Sequence, residues 1–176
     1  MTQPAAEVSI DLTVLVEFRT QVDAQLNGGT GPVADALKQW AVRVRSWLQE
    51  RFDKNSKGGG EWPALSEKTI AKRRKGNGDG SPAILRDLGL LFAVLNPVFT
   101  GQPGAIEESI PYGVRVGFGG STAHGNGAAT ISDIAAYHQE GAGHLPVREI
   151  IVTPDNNIQE LMSNDMRRAL DRLANE

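Results

Sequence analysis

His138, Glu140 and His144 come closer than any other residues of this chain to a metal-binding set. Their spacing matches no zinc-enzyme pattern such as His-Glu-x-x-His on one helix, and Gly141 and Gly143 put the second histidine on a pliable segment. No metal or other cofactor is assigned, and His138 is read as packing or hydrogen-bonding locally. A second cluster is basic: Lys68, Lys72, Arg73, Arg74 and Lys75. Such a run can hold DNA phosphates through salt-sensitive backbone contacts. Without interleaved aromatics it fits equally a solvated helix face or a contact to an acidic neighbour. Lys72, Arg73, Arg74 and Lys75 are therefore candidate contacts to DNA or to an acidic partner. The glycine-rich stretch Gly76-Asn77-Gly78-Asp79-Gly80 lacks the Lys-Ser/Thr ending of a phosphate loop, and no Gly-x-Ser-x-Gly nucleophile turn occurs. These absences argue for a protein that is not an enzyme.

The whole chain is consistent with that reading. Its 176 residues suit one domain, and the absence of cysteine removes thiolate chemistry and disulfide staples. A formal charge of −3 announces neither an acidic nor a basic partner, so nucleic acid is not the default ligand. The beginning of the sequence shows no export leader, and nowhere do about twenty apolar residues run together. A soluble, non-membrane protein is expected.

Hydrophobic periodicity then places the elements. Asp11 is suited to cap a helix carrying Leu15, Phe18, Val22 and Leu26, with a short strand over residues 8–12 as the alternative. Val33, Leu37, Trp40, Val44, Trp47, Leu48 and Phe52 mark a longer amphipathic helix, the spine of the domain, with Trp40 and Trp47 expected in the core, a subunit interface being the alternative. Residues 53–60 read as a mobile connector, after which Trp62 pins the returning chain. Ser66 caps a helix over Glu67–Lys75, a loop comes next, and Pro82 opens a helix that stops by Asn96. Residues 98–100 and 112–118 read as strands, the second with Gly113 and Gly117 marking a bulge or a close backbone approach. Residues 119–130 are too polar and too rich in small residues to order themselves. A helix over Ile131–Glu140 ends at Gly141, a short strand covers 150–152, and a last helix starts at Thr153-Pro154-Asp155, its apolar stripe interrupted by Asp165.

The order of four stretches resembles the phage virion morphogenesis family, which includes tail completion proteins of Mu-like and related tailed phages. They are Gly60-Glu61-Trp62-Pro63-Ala64-Leu65-Ser66 with Thr69 and Lys72; Ile84-Leu85-Arg86-Asp87-Leu88-Gly89-Leu90-Leu91; Gly113-Val114-Arg115-Val116-Gly117; and Tyr137-His138-Gln139-Glu140-Gly141 with Pro146-Val147-Arg148 after it. The resemblance spans about residues 30–175 and departs from the family at 76–80 and 119–130.

It implies an α+β fold, amphipathic helices packed on a small, mainly antiparallel sheet, as a single ring-forming domain over residues 1–176; the composition of the chain adds mobile loops near 53–61, 76–81 and 119–130. It implies a structural virion protein at the head-tail joint or tail end, meeting sister copies, a portal-side connector or the tail tube. Such a protein would reside in the virion neck or tail, and in host cytoplasm during assembly. Trp62, Gly113, Gly117, His138, Gly141, Pro146 and Arg148 are the expected structural or assembly anchors. Arg148 is expected to grip a carboxylate inside the fold or across subunits, its approach stiffened by Pro146. A DNA-binding packaging or regulatory factor using residues 68–75 is the alternative.

Overall fold

A computed structural model describes residues 13–75, 82–96, 101–125 and 127–175, without the side chains of 74 and 75. The expectations at 8–12, 76–81 and 98–100 lie outside the described residues. The architecture is α+β. Along the described chain come α1 (Thr13–Gly28), α2 (Pro32–Ser56), α3 (Glu67–Lys75), α4 (Leu90–Val94), β1 (Ala105–Ile110), β2 (Gly113–Phe118), α5 (Ile131–Glu140) and α6 (Asn156–Leu173).

The stripe on α2 does what its spacing demands. Val33, Ala36, Leu37, Ala41, Leu48 and Phe52 are all buried, because one face of a long helix can meet several elements at once. Its first half joins α1 and α6 in a small core, where Val33, Ala36, Ala169 and Leu173 receive Phe18, Val22 and Leu26. Its second half anchors the larger core, in which Leu48 and Phe52 meet Trp62, Ile84, Leu91, Leu95, Ile131 and Ile150. Trp40 and Trp47 are only partly buried, against the expectation of core positions. Trp47 sits at the surface end of the stripe, where its Nε1 donates to Asp155 at 3.1 Å. Asp165, the acid inside the α6 stripe, has a partner across the helix pair: Arg43 donates to its Oδ2 through Nε at 3.0 Å and Nη2 at 2.8 Å.

Several elements depart from the sequence reading, each for a local reason. α2 continues through residues 53–56, and the buried Asn55 organises the turn beyond it: its Oδ1 accepts from the N–H of Glu61 at 2.7 Å and of Trp62 at 3.3 Å. The helix expected from Pro82 shrinks to α4. Leu85 at φ 58° and Gly89 at φ 72° break it, because burying Ile84 and Leu85 and donating the Ile84 N–H to the Ser56 carbonyl at 2.9 Å outweigh helix propensity. β1 was not expected, since Glu107, Glu108 and Ser109 spoil its apolar alternation. It forms because β2 lies alongside in antiparallel register, with Glu108 directly opposite Arg115 and bonded to it at 2.6 Å.

The register of the hairpin is continuous, so Gly113 and Gly117 mark no bulge. Neither is a close approach: a Cβ at Gly113 would stand at an ordinary 3.5 Å from Ile110, and one at Gly117 would meet nothing within 4 Å. Tyr112 belongs to the turn at φ 60° and is exposed, not part of the strand. Within 119–130, Ala123 bridges Thr130, and Thr130 with Asp133 forms a capping box that starts α5. Residues 150–152, expected as a strand, pair with no other strand among the described residues. The Gln139 side chain takes that place: its Oε1 accepts from Ile150 and Ile151 N–H at 2.8 and 3.0 Å, and its Nε2 donates to the Ile151 carbonyl at 2.8 Å.

Replacing Asn55 by Ala leaves two backbone donors beside Trp62 without their acceptor. The expected loss is about 1–3 kcal/mol of unfolding free energy, read by urea denaturation. Asn175→Ala, just beyond the exposed end of α6, should change stability by less than about 0.5 kcal/mol.

Candidate functional site

Between α3, the turn at 63–66 and the segment 144–148 lies a cavity of about 600 Å³, open on one side. Ala64, Leu65, Leu85, Leu145 and Pro146 give it apolar walls; Lys72, Arg73, Asp87, His138, His144 and Arg148 supply its charge and polarity. A volume in this range suits a ligand pocket with mostly apolar walls and a few convergent polar groups.

Each side chain arrives for a traceable reason. α3 starts where the Ser66 hydroxyl accepts from Thr69 N–H at 3.2 Å, so Thr69, Lys72 and Arg73, at spacings of three and four, share one helical face over the cavity. His138 comes from the last turn of α5. That helix ends at Gly141, whose φ of 73° suits a glycine cap. A Cβ there would stand 2.7 Å from Val147 Cγ2, so Gly141 is also where the chain folds tightly back on itself. The return brings Arg148 N–H to the His138 carbonyl at 2.7 Å.

Trp62 acts as expected. It is buried, stands edge-on to Phe52 with ring centroids 4.9 Å apart, and donates from Nε1 to the Glu149 carbonyl at 3.2 Å. Pro63 is thereby held beneath Arg148. Arg148 is only 4% exposed, and its Nε and Nη2 donate to the Pro63 carbonyl at 3.3 and 3.0 Å. The carboxylate expected for Arg148 inside the fold is not there: among the described residues its side chain has no acidic partner.

Of the basic run, Arg73 turns inward, donating to the Ala83 carbonyl at 2.7 Å and pairing with Asp87 at 3.5 Å. Lys68 and Lys72 are exposed, and the side chains of Arg74 and Lys75 lie outside the described residues. The cavity therefore joins four of the expected anchors and contacts, His138, Pro146, Arg148 and Arg73, with Lys72 at its edge. Gly113 and Gly117 stand apart from it on the hairpin. The sequence assigned no role of their own to Asp87, Thr69 or Gln139, and it set His144 aside as a metal ligand. Their places depend on which chain segments meet, and no local pattern announces that.

Electrostatics follow from burial. The His138 imidazolium is disfavoured by desolvation and by the Arg148, Arg73 and His124 charges, which lower its pKa from 6.5 to about 4. Burial and the neighbouring Arg73 likewise lower that of Arg148. His138 Nδ1 is buried with no hydrogen-bond partner among the described residues. Among the described residues no group of three His, Cys, Asp or Glu side chains could hold a metal ion.

Comparison of the chain with protein-family models, with curated proteins and with solved structures found no match.

The unfolded chain takes up the His138 proton near pH 6.5 and the folded one only near pH 4. Its contribution to stability is complete above about pH 6.5 and is lost as pH falls toward about 4, with a slope of at most about 1.4 kcal/mol per pH unit. Subtracting the pH-stability profile of His138→Gln from that of the parent should isolate this slope; two parallel profiles would refute the assignment.

Proposed function

We propose that this chain is a structural virion protein of a tailed bacteriophage that assembles into a ring at the head-tail joint or tail end. The phage half of this reading rests on the ordered resemblance of the 60–72, 84–91, 113–117 and 137–148 stretches. The assembly half rests on one observation: Val14, Leu15 and Val16, consecutive at the start of α1, are 74, 63 and 61% exposed. Consecutive residues stand about 100° apart around a helix, so these three carry apolar surface well beyond the face turned toward α2. An apolar patch of that kind is what a subunit offers to a neighbour.

A second feature of the fold suits the same role. Among the described residues β1 pairs only with β2, so its other edge has no strand partner there, and an unpaired edge is where a strand from another chain can add. A heterologous contact of this type closes into a ring when its rotation divides a full turn. Within such an assembly the chain acts by shape, and no helix among its described residues is long and apolar enough to cross a membrane.

Phage lacking the protein should accumulate full heads and free tails that do not join, seen by negative-stain microscopy. Changing Val14, Leu15 and Val16 together to Ser should leave the purified chain folded and lower its mass by light scattering. Normally joined particles without the protein would overturn the reading.

A further inference from the structure

We propose that the cavity between α3, the 63–66 turn and the 144–148 segment is a docking site for an acidic peptide segment of a partner chain. One carboxylate of that segment meets Arg148, and an adjacent apolar side chain lies against Leu65, Leu85 and Leu145. Nothing in this site requires the chain to sit in a ring.

The first support is Arg148 itself. A guanidinium offers five N–H donors, and here Nε and Nη2 converge on a single backbone carbonyl. A cation 4% exposed ordinarily has a carboxylate beside it, because burial strips its hydration and a neutral carbonyl returns only part of the loss. Arg45, equally buried, shows the usual solution in this same fold: it pairs with Glu107 and also donates to the Val94 and Asn96 carbonyls. Among the described residues Arg148 has the carbonyl without the acid.

The second support is the sign of the lining. Among the described lining residues, Lys72, Arg73 and Arg148 face one carboxylate, Asp87, already paired with Arg73. The cavity is therefore positive in a chain whose formal charge is −3. Desolvation and the two guanidinium groups keep the His138 imidazole neutral, and its buried Nδ1 lacks a partner. A carboxylate beside Arg148 would offset the charge that opposes protonation there.

The third support is the nature of the walls. Ala64, Leu65, Leu85, Leu145 and Pro146 suit an apolar side chain next to the acid, and the apolar surface continues outward, with Leu145 42% and Val147 51% exposed. A bare phosphate would leave these walls unused. A DNA duplex is too broad to bring its phosphates to so deeply buried a guanidinium. A peptide with an acid beside a leucine satisfies both the charge and the walls.

The test uses the full chain labelled with ¹⁵N and four probes: the peptide acetyl-Ala-Leu-Glu-Leu-Ala-amide, its Gln counterpart, inorganic phosphate and a DNA duplex. The Glu peptide should shift the Arg148 Nε–H signal and the backbone amides of Thr69, His138 and Leu145 in a saturable way. The Gln peptide should bind about tenfold or more weakly, as expected when a charge-assisted pair is lost. Arg148→Lys keeps the charge but loses the fork and should weaken binding. Because that buried site is sensitive to substitution, Lys72→Glu, exposed on α3, provides the second variant and should lower affinity by about tenfold. Equal binding of the two peptides, or no shift at millimolar peptide, would overturn the site. So would phosphate or duplex acting on the same amides as tightly as the Glu peptide, or affinity unchanged in Lys72→Glu.

Discussion

The side chain of Asn55 is the constraint on which the candidate site depends. Its Oδ1 takes the N–H groups of Glu61 and Trp62, and its Nδ2 donates to the Arg51 carbonyl at 2.8 Å. The chain leaving α2 must therefore reverse at once, and Gly60 passes so close to the Asn55 amide that a Cβ there would collide with it. The reversal sets Trp62 against Phe52 and under Glu149. Only then does the Pro63 carbonyl stand where Arg148 can reach it. An amide suits this position because it accepts and donates at once without bringing a charge into the interior.

Two buried guanidinium groups divide the labour of the fold. Arg45 ties α2 to β1 and to the end of α4, and its counter-charge Glu107 comes from within the chain. Arg148 ties the returning segment to Pro63 and has no acid beside it among the described residues. The first arrangement closes a structural joint. The second leaves positive potential at the bottom of an open cavity, and burial amplifies it because little water remains to screen it.

The two cores along α2 have different characters. The larger one, around Phe52, Trp62 and Ile150, gathers segments from separate stretches of the chain and holds the cavity in shape. The smaller one, around Val33 and Leu173, joins α1 and α6 to the other half of the same helix. No residue of α1 is fully buried, so that helix keeps apolar surface available to something outside the chain. That incompletely covered helix is the feature on which the proposed assembly role rests.

Local information was enough for α2, α3, α5 and α6. Each has a strong apolar stripe or a clear start or stop, such as Ser66, Gly141 or Asp155, and these signals need no distant partner. The role of Trp62 as a pin was legible because a lone indole after a glycine run has to find cover. The tertiary structure decided the rest. It made a strand of 105–110 because β2 was alongside, and it broke the run after Pro82 because Ile84 and Leu85 could be buried. It let Gln139 stand in for a strand beside Ile150 and Ile151. It also turned Arg148 onto a carbonyl instead of an acid. Caps and stripes act within a few residues and so are written locally. Burial of a side chain, and the partner of a buried charge, depend on segments far apart in the sequence.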